Sequence, residues 1–338
     1  MPERKKVIII AEAGVNHNAS MEMACEMVRV AAKCGADYVK FQTAVPVLVI
    51  SSLAPKAEYQ KETTGSEESQ LDMCRAIHLP LSAYSRLAEL CKSEGIGFMS
   101  TPFDLVSIDT LAELGMDYWK IPSGEITNLP YLRKIGRRGE RVILSTGMAD
   151  IEEVGRAVDV LCECGTDRKN IYLLHCTTQY PTPYSSVNLR AMKQLESLGT
   201  GGVGYSDHTL GITVPVAAVG MGAVIIEKHF TLDKTLPGPD HSASLDPEEL
   251  EEMVKAIRIA EEAMSGSGKK EVADAERANI EVARKSIVAA RNIKKGEIFT
   301  EENITVKRPG NGINPMLWDD VIGKTAGRDF EYDSLITL

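Results

Sequence analysis

Residues 7–43 read VIIIAEAGVNHNASMEMACEMVRVAAKCGADYVKFQT and contain a predicted strand, helix and second strand. The apolar runs Val7–Ala13 and Tyr38–Thr43 are short and nearly continuous, which is typical of strands buried on both faces of a parallel sheet. Between them, apolar residues from Ala24 to Ala31 follow helical spacing, and Ser20 is placed to cap that helix. The stretch therefore predicts a β-α-β unit.

Eight apolar runs of this kind occur in the first 230 residues, each followed by polar or glycine-containing residues and an amphipathic stretch. They are Val7–Ala13, Tyr38–Thr43, Ile96–Thr101, Tyr118–Pro122, Arg141–Thr146, Ile171–Cys176, Gly202–Ser206 and Ala223–Lys228. Eight strand–helix units match the usual size of a (β/α)8 TIM barrel. A doubly wound open sheet is the competing architecture, but it concentrates its site at one switch point, whereas polar residues follow nearly every run here. We predict the barrel.

A second domain is predicted beyond the barrel. Residues 1–265 hold the eight units, and residues 266–280 begin with a polar, glycine-containing stretch that is typical of a flexible linker. In residues 281–338, short strand-like segments alternate with turns, which indicates a small β-rich domain. A domain of this size is expected to have only a small hydrophobic core of its own and to pack against another protein surface.

Composition excludes several classes of protein. The chain has 338 residues and a formal charge of −10, without a basic block that could follow a phosphate backbone, so we expect no nucleic-acid partner. The seven cysteines form no CxxC pair, which indicates a reducing compartment. We find no signal-peptide core and no apolar run long enough to span a membrane. The expectation is a soluble, cytoplasmic protein with no membrane partner.

Three lysines, Lys40, Lys120 and Lys228, lie inside predicted strands. Lys40 and Lys120 have apolar neighbours, and lysine is almost never buried unpaired. Three readings stay open: the lysines pair with structural carboxylates, at least one binds an anionic substrate, or one forms a Schiff base. Small hydroxyls at other strand ends, such as Ser123 and Ser145, suit a phosphate or carboxylate ligand.

Two histidines end successive strands of the predicted barrel. His208 and His229 should lie on neighbouring strands at the same rim, where two imidazoles with open positions would suit a divalent ion such as Mn²⁺. Hydrogen-bonded rim histidines, or a general base, are the alternatives.

Two carboxylates and a cysteine complete the set of candidates. Glu12 and Glu125 follow strands on opposite sides of the mouth and are either solvated rim groups or acid–base groups. His175 and Cys176 do not form a catalytic pair in this prediction, because adjacent residues of a strand point to opposite faces.

The motifs together resemble one family, the N-acetylneuraminate (sialic acid) synthases, which include the legionaminate and pseudaminate synthases. The matching segments run in family order along nearly the whole chain. They are Ile10–Asn18, Val39–Thr43, Lys120–Glu125, Leu144–Met148, His175–Pro183, Tyr205–Thr209, Glu227–Thr231, Gly238–His241 and Lys307–Gly312.

The resemblance implies a TIM barrel followed by an antifreeze-like (SAF) domain, in a homodimer where the SAF domain of one subunit closes the other subunit's site. It implies that phosphoenolpyruvate condenses with an N-acylated aminosugar and water, and that phosphate leaves with C–O cleavage. It also implies roles for fourteen residues of this chain. Glu125, Glu12 and Lys40 would be catalytic; Gln42, Thr101, Lys120, Ser123, Ser145, Tyr180, Ser206, Asp240 and Arg308 would bind substrates; His208 and His229 would hold Mn²⁺ or Mg²⁺.

Two acceptor sugars fit this resemblance. The first expectation is N-acetylmannosamine, which would give N-acetylneuraminate. The alternative is 2,4-diacetamido-2,4,6-trideoxymannose, because Thr178 stands where some sialic acid synthases carry Asn, and because the segments Cys176–Tyr180 and Glu125–Leu129 resemble legionaminate synthases. A Schiff-base aldolase and a non-enzymatic ice- or carbohydrate-binding protein are more distant hypotheses.

Overall fold

The computed structural model describes residues 6–57, 60–61 and 69–338. The chain divides into two compact units, Met1–Ser265 and Gly266–Leu338. The first unit contains eight parallel strands, as the sequence predicts. They are β1 (Ile8–Gly14), β2 (Tyr38–Thr43), β3 (Gly97–Pro102), β4 (Trp119–Ile121), β5 (Val142–Ser145), β6 (Ile171–His175), β7 (Gly202–Asp207) and β8 (Ile225–His229).

The strands form a barrel. Their order is β3-β2-β1-β8-β7-β6-β5-β4, and β3 and β4 lie side by side to complete the ring. The helices of this unit are α1 (Met21–Lys33), α2 (Pro46–Val49), α3 (Gln70–Ile77), α4 (Ala83–Glu94), α5 (Leu105–Ala112), α6 (Leu129–Gly136), α7 (Ile151–Cys164), α8 (Ala191–Glu196), α9 (Thr213–Gly220) and α10 (Pro247–Ala263). The TIM-barrel prediction is therefore confirmed.

Helix ends follow local sequence chemistry. Ser20 caps α1 by accepting the Met23 N–H at 3.2 Å, and Gly35 follows the helix with a φ of 82° that glycine adopts without strain. Asp246 and Glu249 form a capping box at the start of α10, where each side chain accepts the other's backbone N–H.

Alternation along the strands sorts side chains between the two faces of the barrel wall. Ile225 belongs to the apolar cluster inside the barrel, and Ile226 packs between the barrel and its helices. Glu227 and His229 therefore share the inner side with Ile225, while Lys228 lies on the outer side. The barrel interior is apolar in its lower layer and charged towards the carboxyl ends of the strands.

The second unit has a sheet and a core of its own. Strands β9 (Ser286–Ala289) and β10 (Ile304–Lys307) pair antiparallel, after helix α11 (Asp274–Ala283) and before helix α12 (Trp318–Val321). Helix α11 lies partly within the segment 266–280 that the sequence suggests is a flexible linker. Its composition explains the difference, because alanine and glutamate favour helix and Glu276 accepts the Ala273 N–H.

The second unit also differs from the expectation that it has little core. Nine apolar residues form a buried cluster: Ile287, Ala289, Ile293, Phe299, Ile304, Val321, Ala326, Phe330 and Ile336. Within the residues that the structure describes, no helix is long and apolar enough to cross a membrane.

Candidate active site

A cavity of about 350 Å³ opens at the carboxyl ends of the barrel strands, where TIM-barrel enzymes place their active sites. Twelve of the fourteen residues proposed from the sequence line it. They are Glu12, Lys40, Gln42, Thr101, Lys120, Ser123, Ser145, Tyr180, Ser206, His208, His229 and Asp240. Its size lies within the range of small-molecule sites.

Lys40 and Lys120 both pair with buried carboxylates. Lys40 Nζ lies 2.7 Å from Glu12 Oε2 and 3.6 Å from Glu227 Oε2. Lys120 Nζ lies 3.4 Å from Glu227 Oε1 and donates to Ser145 Oγ at 2.8 Å. These contacts connect four side chains into one cluster, which we call the ionic floor of the cavity: Lys40, Glu12, Lys120 and Glu227.

Glu227 has no role in the sequence-based site, yet it joins the two lysines. Its Oε1 also accepts a hydrogen bond from Ser206 Oγ at 3.1 Å. The signal was present in the sequence, because two lysines inside strands need carboxylates and Glu227 occupies an alternating position with Ile225 and His229. Only the register between β7, β8 and β1 places it between the lysines.

The ionic floor keeps positive charge. Burial raises the pKa of Glu12 to about 7, and Lys40 offsets only part of that effect. Burial also acts to raise the pKa of Glu227, but attraction by Lys120 and Lys40 outweighs it and lowers the pKa to about 2. For Lys40, burial acts to lower the pKa but attraction by Glu12 and Glu227 outweighs it and raises the pKa, whereas burial lowers the pKa of Lys120 despite attraction by Glu227. Near neutral pH the amino groups of the two lysines therefore face one full carboxylate and one that is partly protonated, which suits an anionic ligand.

The two histidines lie side by side above this floor. Their ring centroids are 5.7 Å apart, and the ring of Tyr180 lies 4.1 Å from that of His208. Burial lowers the pKa of His208 to about 4, and burial also holds the pKa of His229 well below its usual range, so both imidazoles are neutral.

The histidine nitrogens fit metal ligation. His208 Nδ1 donates to the Thr177 carbonyl at 2.6 Å, which leaves a lone pair on Nε2. Among the residues that the structure describes, His229 Nδ1 is buried without a hydrogen-bond partner. Among the described residues, no group of three or more His, Cys, Asp or Glu side chains is arranged to hold an ion, so a metal here would take its other ligands from elsewhere.

A buried ion pair outside the barrel wall supports both histidines. Lys228 Nζ, next to His229, pairs with Asp207 Oδ2, next to His208, and also donates to the Thr209 carbonyl. This contact ties the ends of β7 and β8 together directly behind the two imidazoles.

Close packing explains a glycine beside the hydroxyl groups. Ser123 Oγ accepts the Gly147 N–H at 3.0 Å and lies 3.2 Å from Cys176 Sγ. A Cβ on Gly147 would lie 2.7 Å from Thr178 Cγ2 and 2.9 Å from Ser123 Oγ, so a larger residue does not fit. His175 Nε2 contacts the Val187 carbonyl instead of the neighbouring thiol, as strand alternation predicts.

Asp240 is a buried carboxylate of the cavity wall. It is 7% exposed, and burial raises its pKa from 3.8 to about 6. In the described part of the chain its carboxylate has no hydrogen-bond donor, so ionisation is unfavourable until a ligand supplies one.

Replacing Asp240 by asparagine is therefore expected to stabilise the protein in a pH-dependent way. The raised folded-state pKa means that wild type loses stability as pH rises from about 4 to above 6, and the variant does not. The gain should be near zero at pH 4 and roughly 1–3 kcal/mol at pH 7.5, whereas catalytic activity should fall. Thermal melts at both pH values check this, and an equal shift at both would contradict it.

Two predicted site residues do not line the cavity. Glu125 lies in the turn Ser123–Glu125, and its Oε2 accepts from Asn128 Nδ2 at 2.5 Å, at the start of α6. Arg308 belongs to the second unit, where its Nε donates to the Ala283 carbonyl at 3.2 Å.

Known proteins resemble this chain along most of its length. The NeuB family matches residues 27–270, and the SAF domain matches residues 284–338. An N,N'-diacetyllegionaminic acid synthase of Campylobacter jejuni is 52% identical over 98% of this chain and 99% of its own. Another, of Legionella pneumophila, is 47% identical over 93% of this chain and 89% of its own.

A solved structure shares the architecture. The N-acetylneuraminic acid (sialic acid) synthetase of Leptospira borgpetersenii, in complex with citrate, is 33% identical, with a TM-score of 0.71 over 82% of this chain and 91% of that chain. Together with the family match and the geometry of the cavity, this likeness establishes that the chain belongs to the NeuB family and ends in a SAF domain.

Proposed function

We propose that the protein condenses phosphoenolpyruvate with 2,4-diacetamido-2,4,6-trideoxymannose and water to give N,N'-diacetyllegionaminate and phosphate. The main support for this class of reaction is the ionic floor, with its two lysines, beside two neutral imidazoles. The acceptor rests on the two relatives named as N,N'-diacetyllegionaminic acid synthases. They support this sugar over N-acetylmannosamine, the first expectation from the sequence.

The donor would bind at the ionic floor. Lys40 and Lys120 supply amino groups, and Ser123, Ser145 and Ser206 supply hydroxyls to the same cavity, of which Ser145 contacts Lys120 and Ser206 contacts Glu227. Charge-assisted hydrogen bonds to phosphate and carboxylate oxygens are strong in such a buried site. Because Glu227 already holds both lysines in place, little reorganisation is needed when the anion enters.

His208 and His229 would hold a divalent metal, Mn²⁺ or Mg²⁺. The bound ion would supply Lewis-acid polarisation of the acceptor's aldehyde oxygen. Tyr180, Gln42 and Asp240 lie around the same space and would orient the sugar. The sugar's hydroxyl groups would give Asp240 hydrogen-bond donors in this complex, which would favour its ionised form.

Glu12 is placed to move the proton that the reaction requires. Phosphoenolpyruvate C3 bonds to the aldehyde carbon, water adds at C2, and the C2–O bond to phosphate breaks. The attacking water loses one proton and the aldehyde oxygen gains one, and the C2 hydroxyl then gives its remaining proton to the leaving phosphate as C2 becomes a ketone, so the balance is even. A carboxyl with a pKa of about 7 can both accept and return that proton. Glu125, the other candidate, has its carboxylate directed to Asn128.

The second unit is proposed to close the site of a partner subunit in a homodimer. Apolar side chains that follow the barrel strands are exposed: Leu105, Val106, Met148, Tyr184 and Leu210. The second unit also exposes Ile298, Met316, Leu317 and Tyr332. Burial of both sets in a dimer would remove apolar surface from water. In this arrangement the barrel comprises residues 1–265, the connection residues 266–280 and the lid residues 281–338. Arg308 of the lid would reach the acyl carbonyl of the acceptor.

Complementation tests this arrangement. Arg308→Ala and Lys120→Met subunits should each be inactive or weak alone, and a mixed dimer should regain activity because one of its sites contains both wild-type side chains. Arg308→Ala alone should lower kcat/KM for the sugar about 10- to 100-fold, the value of a charged hydrogen bond. No recovery after confirmed subunit exchange would show that the lid does not act in trans.

Isotope labelling tests the reaction itself. With ¹⁸O-water, phosphoenolpyruvate and the diacetamido acceptor, label is expected at C2 of the product and not in phosphate, because C–O cleavage brings the water oxygen to C2. Mass spectrometry of both products measures it. Label in phosphate, or release of pyruvate without a sugar product, would overturn the proposal.

A further inference from the structure

The cavity has one wall whose chemistry differs from that of its floor. The ionic floor carries lysines and carboxylates, and the hydroxyls and imidazoles described above lie next to it. The differing wall is formed mainly by Ala44, Pro46, Val49, Ile50, Met73 and Ile77, which follow β2 or belong to α2 and α3. We call these six residues the apolar wall, and none of them has a role in the proposed chemistry.

The apolar wall rests on fixed contacts. Directly after β2, the Val45 N–H donates to Asp104 Oδ2 at 2.7 Å, which holds the start of the segment. Helix α3 is capped by Ser69 and packs against α2. Met73 is 2% exposed, whereas Val49 is 37% exposed at the mouth. The wall therefore belongs to the folded barrel and faces any ligand that extends outward from the floor.

Topology determines which part of an acceptor meets this wall. The reacting aldehyde must approach the donor at the ionic floor, at the ends of the strands. Residues 44–57 and 69–77 come after the end of β2 at Thr43, so they lie beyond the floor along the barrel axis. The carbons farthest from the aldehyde, C5 and C6, then reach the outer part of the cavity, which the apolar wall lines together with the other loops that follow the strands.

We propose that the apolar wall is a subsite for the C6 end of the acceptor and selects a 6-deoxy sugar over its 6-hydroxy counterpart. The inference rests on the proposed function, in which C6 of the acceptor is a methyl group. A methyl group gains by leaving water against Val49 and Ile77, while a hydroxyl group there loses water and receives no side-chain hydrogen bond from the six residues of the wall; the polar Gln60, Gln70 and His78 line the cavity nearby. Discrimination of about 10- to 100-fold is expected for an apolar subsite.

The test uses N-acetylmannosamine and 6-deoxy-N-acetylmannosamine, which differ only at C6. Calorimetry of the full-length protein with Mn²⁺ and without phosphoenolpyruvate gives a dissociation constant for each sugar, and wild type should bind the 6-deoxy sugar about 10- to 100-fold more tightly. Val49→Asn and Ile77→Gln should each reduce that ratio at least about fivefold. Leu48→Asn is the matched control, because Leu48 is an exposed neighbour on α2 that does not line the cavity.

Each outcome decides the inference. Equal binding of the two sugars by wild type, weakening of both sugars by the same factor in Val49→Asn and Ile77→Gln, or no binding of either sugar would overturn it. Proper folding of the variants is checked by an unchanged affinity for phosphoenolpyruvate. Because binding is measured without turnover, selective binding with no condensation product would refute the proposed function while leaving the subsite intact.

Discussion

Removal of divalent metal is expected to lower phosphoenolpyruvate-dependent turnover at least about 10³-fold, and added Mn²⁺ is expected to restore it. The reason lies in the state of His208 and His229. Both imidazoles are neutral and buried, and His208 keeps Nε2 free by donating from Nδ1 to a carbonyl. The measurement is phosphate release by enzyme treated with EDTA and dialysed, before and after metal is returned.

The histidine variants separate metal loss from a general effect of the chelator. His208→Ala and His229→Ala should each weaken Mn²⁺ binding, measured by electron paramagnetic resonance, in parallel with the loss of turnover. Metal-free enzyme that runs at full rate, or unchanged Mn²⁺ binding in both variants, would exclude the two histidines as the metal site.

Replacement of Lys120 by methionine is expected to lower kcat/KM for phosphoenolpyruvate about 10²- to 10³-fold. One strong, desolvated charge-assisted contact to the donor is lost, and Glu227 loses one of its two lysine partners. The same substitution should destabilise the fold by roughly 3–5 kcal/mol, because a buried carboxylate is left undercompensated. Steady-state kinetics and denaturant unfolding measure the two effects.

A double variant distinguishes donor binding from a purely structural role of Lys120. Adding Glu227→Gln to Lys120→Met removes the undercompensated charge, so stability should return towards wild type. Activity should stay low, because the ammonium group that binds the donor is still absent. If the double variant regained wild-type kcat/KM, the ionic floor would serve only the fold.

Sequence patterns predicted the barrel because buried parallel strands carry a strong local signal. The runs that became β1 to β8 are short and apolar, and capping residues such as Ser20 and Asp246 act within a few residues of each helix start. Local patterns also placed most site residues at strand ends, where the fold itself brings them together.

The parts that could not be predicted depend on contacts distant in sequence. Alternation along β8 places Glu227 on the inner side of the barrel, but its contacts with Lys40 and Lys120 depend on strand register, which no local pattern specifies. The carboxylate of Glu125 turns to Asn128 because a nearby helix start offers a donor. The apolar wall combines residues from two separate parts of the long connection between β2 and α4, which periodicity alone does not relate to the cavity.

A competition between two acceptors is the most direct test of the central claim. Wild-type enzyme receives limiting phosphoenolpyruvate, Mn²⁺ and equal concentrations of 2,4-diacetamido-2,4,6-trideoxymannose and N-acetylmannosamine, and mass spectrometry measures the ratio of the two nonulosonic acids. We predict that N,N'-diacetyllegionaminate exceeds N-acetylneuraminate by at least about tenfold. An excess of N-acetylneuraminate, or the formation of neither product, would contradict the proposed function.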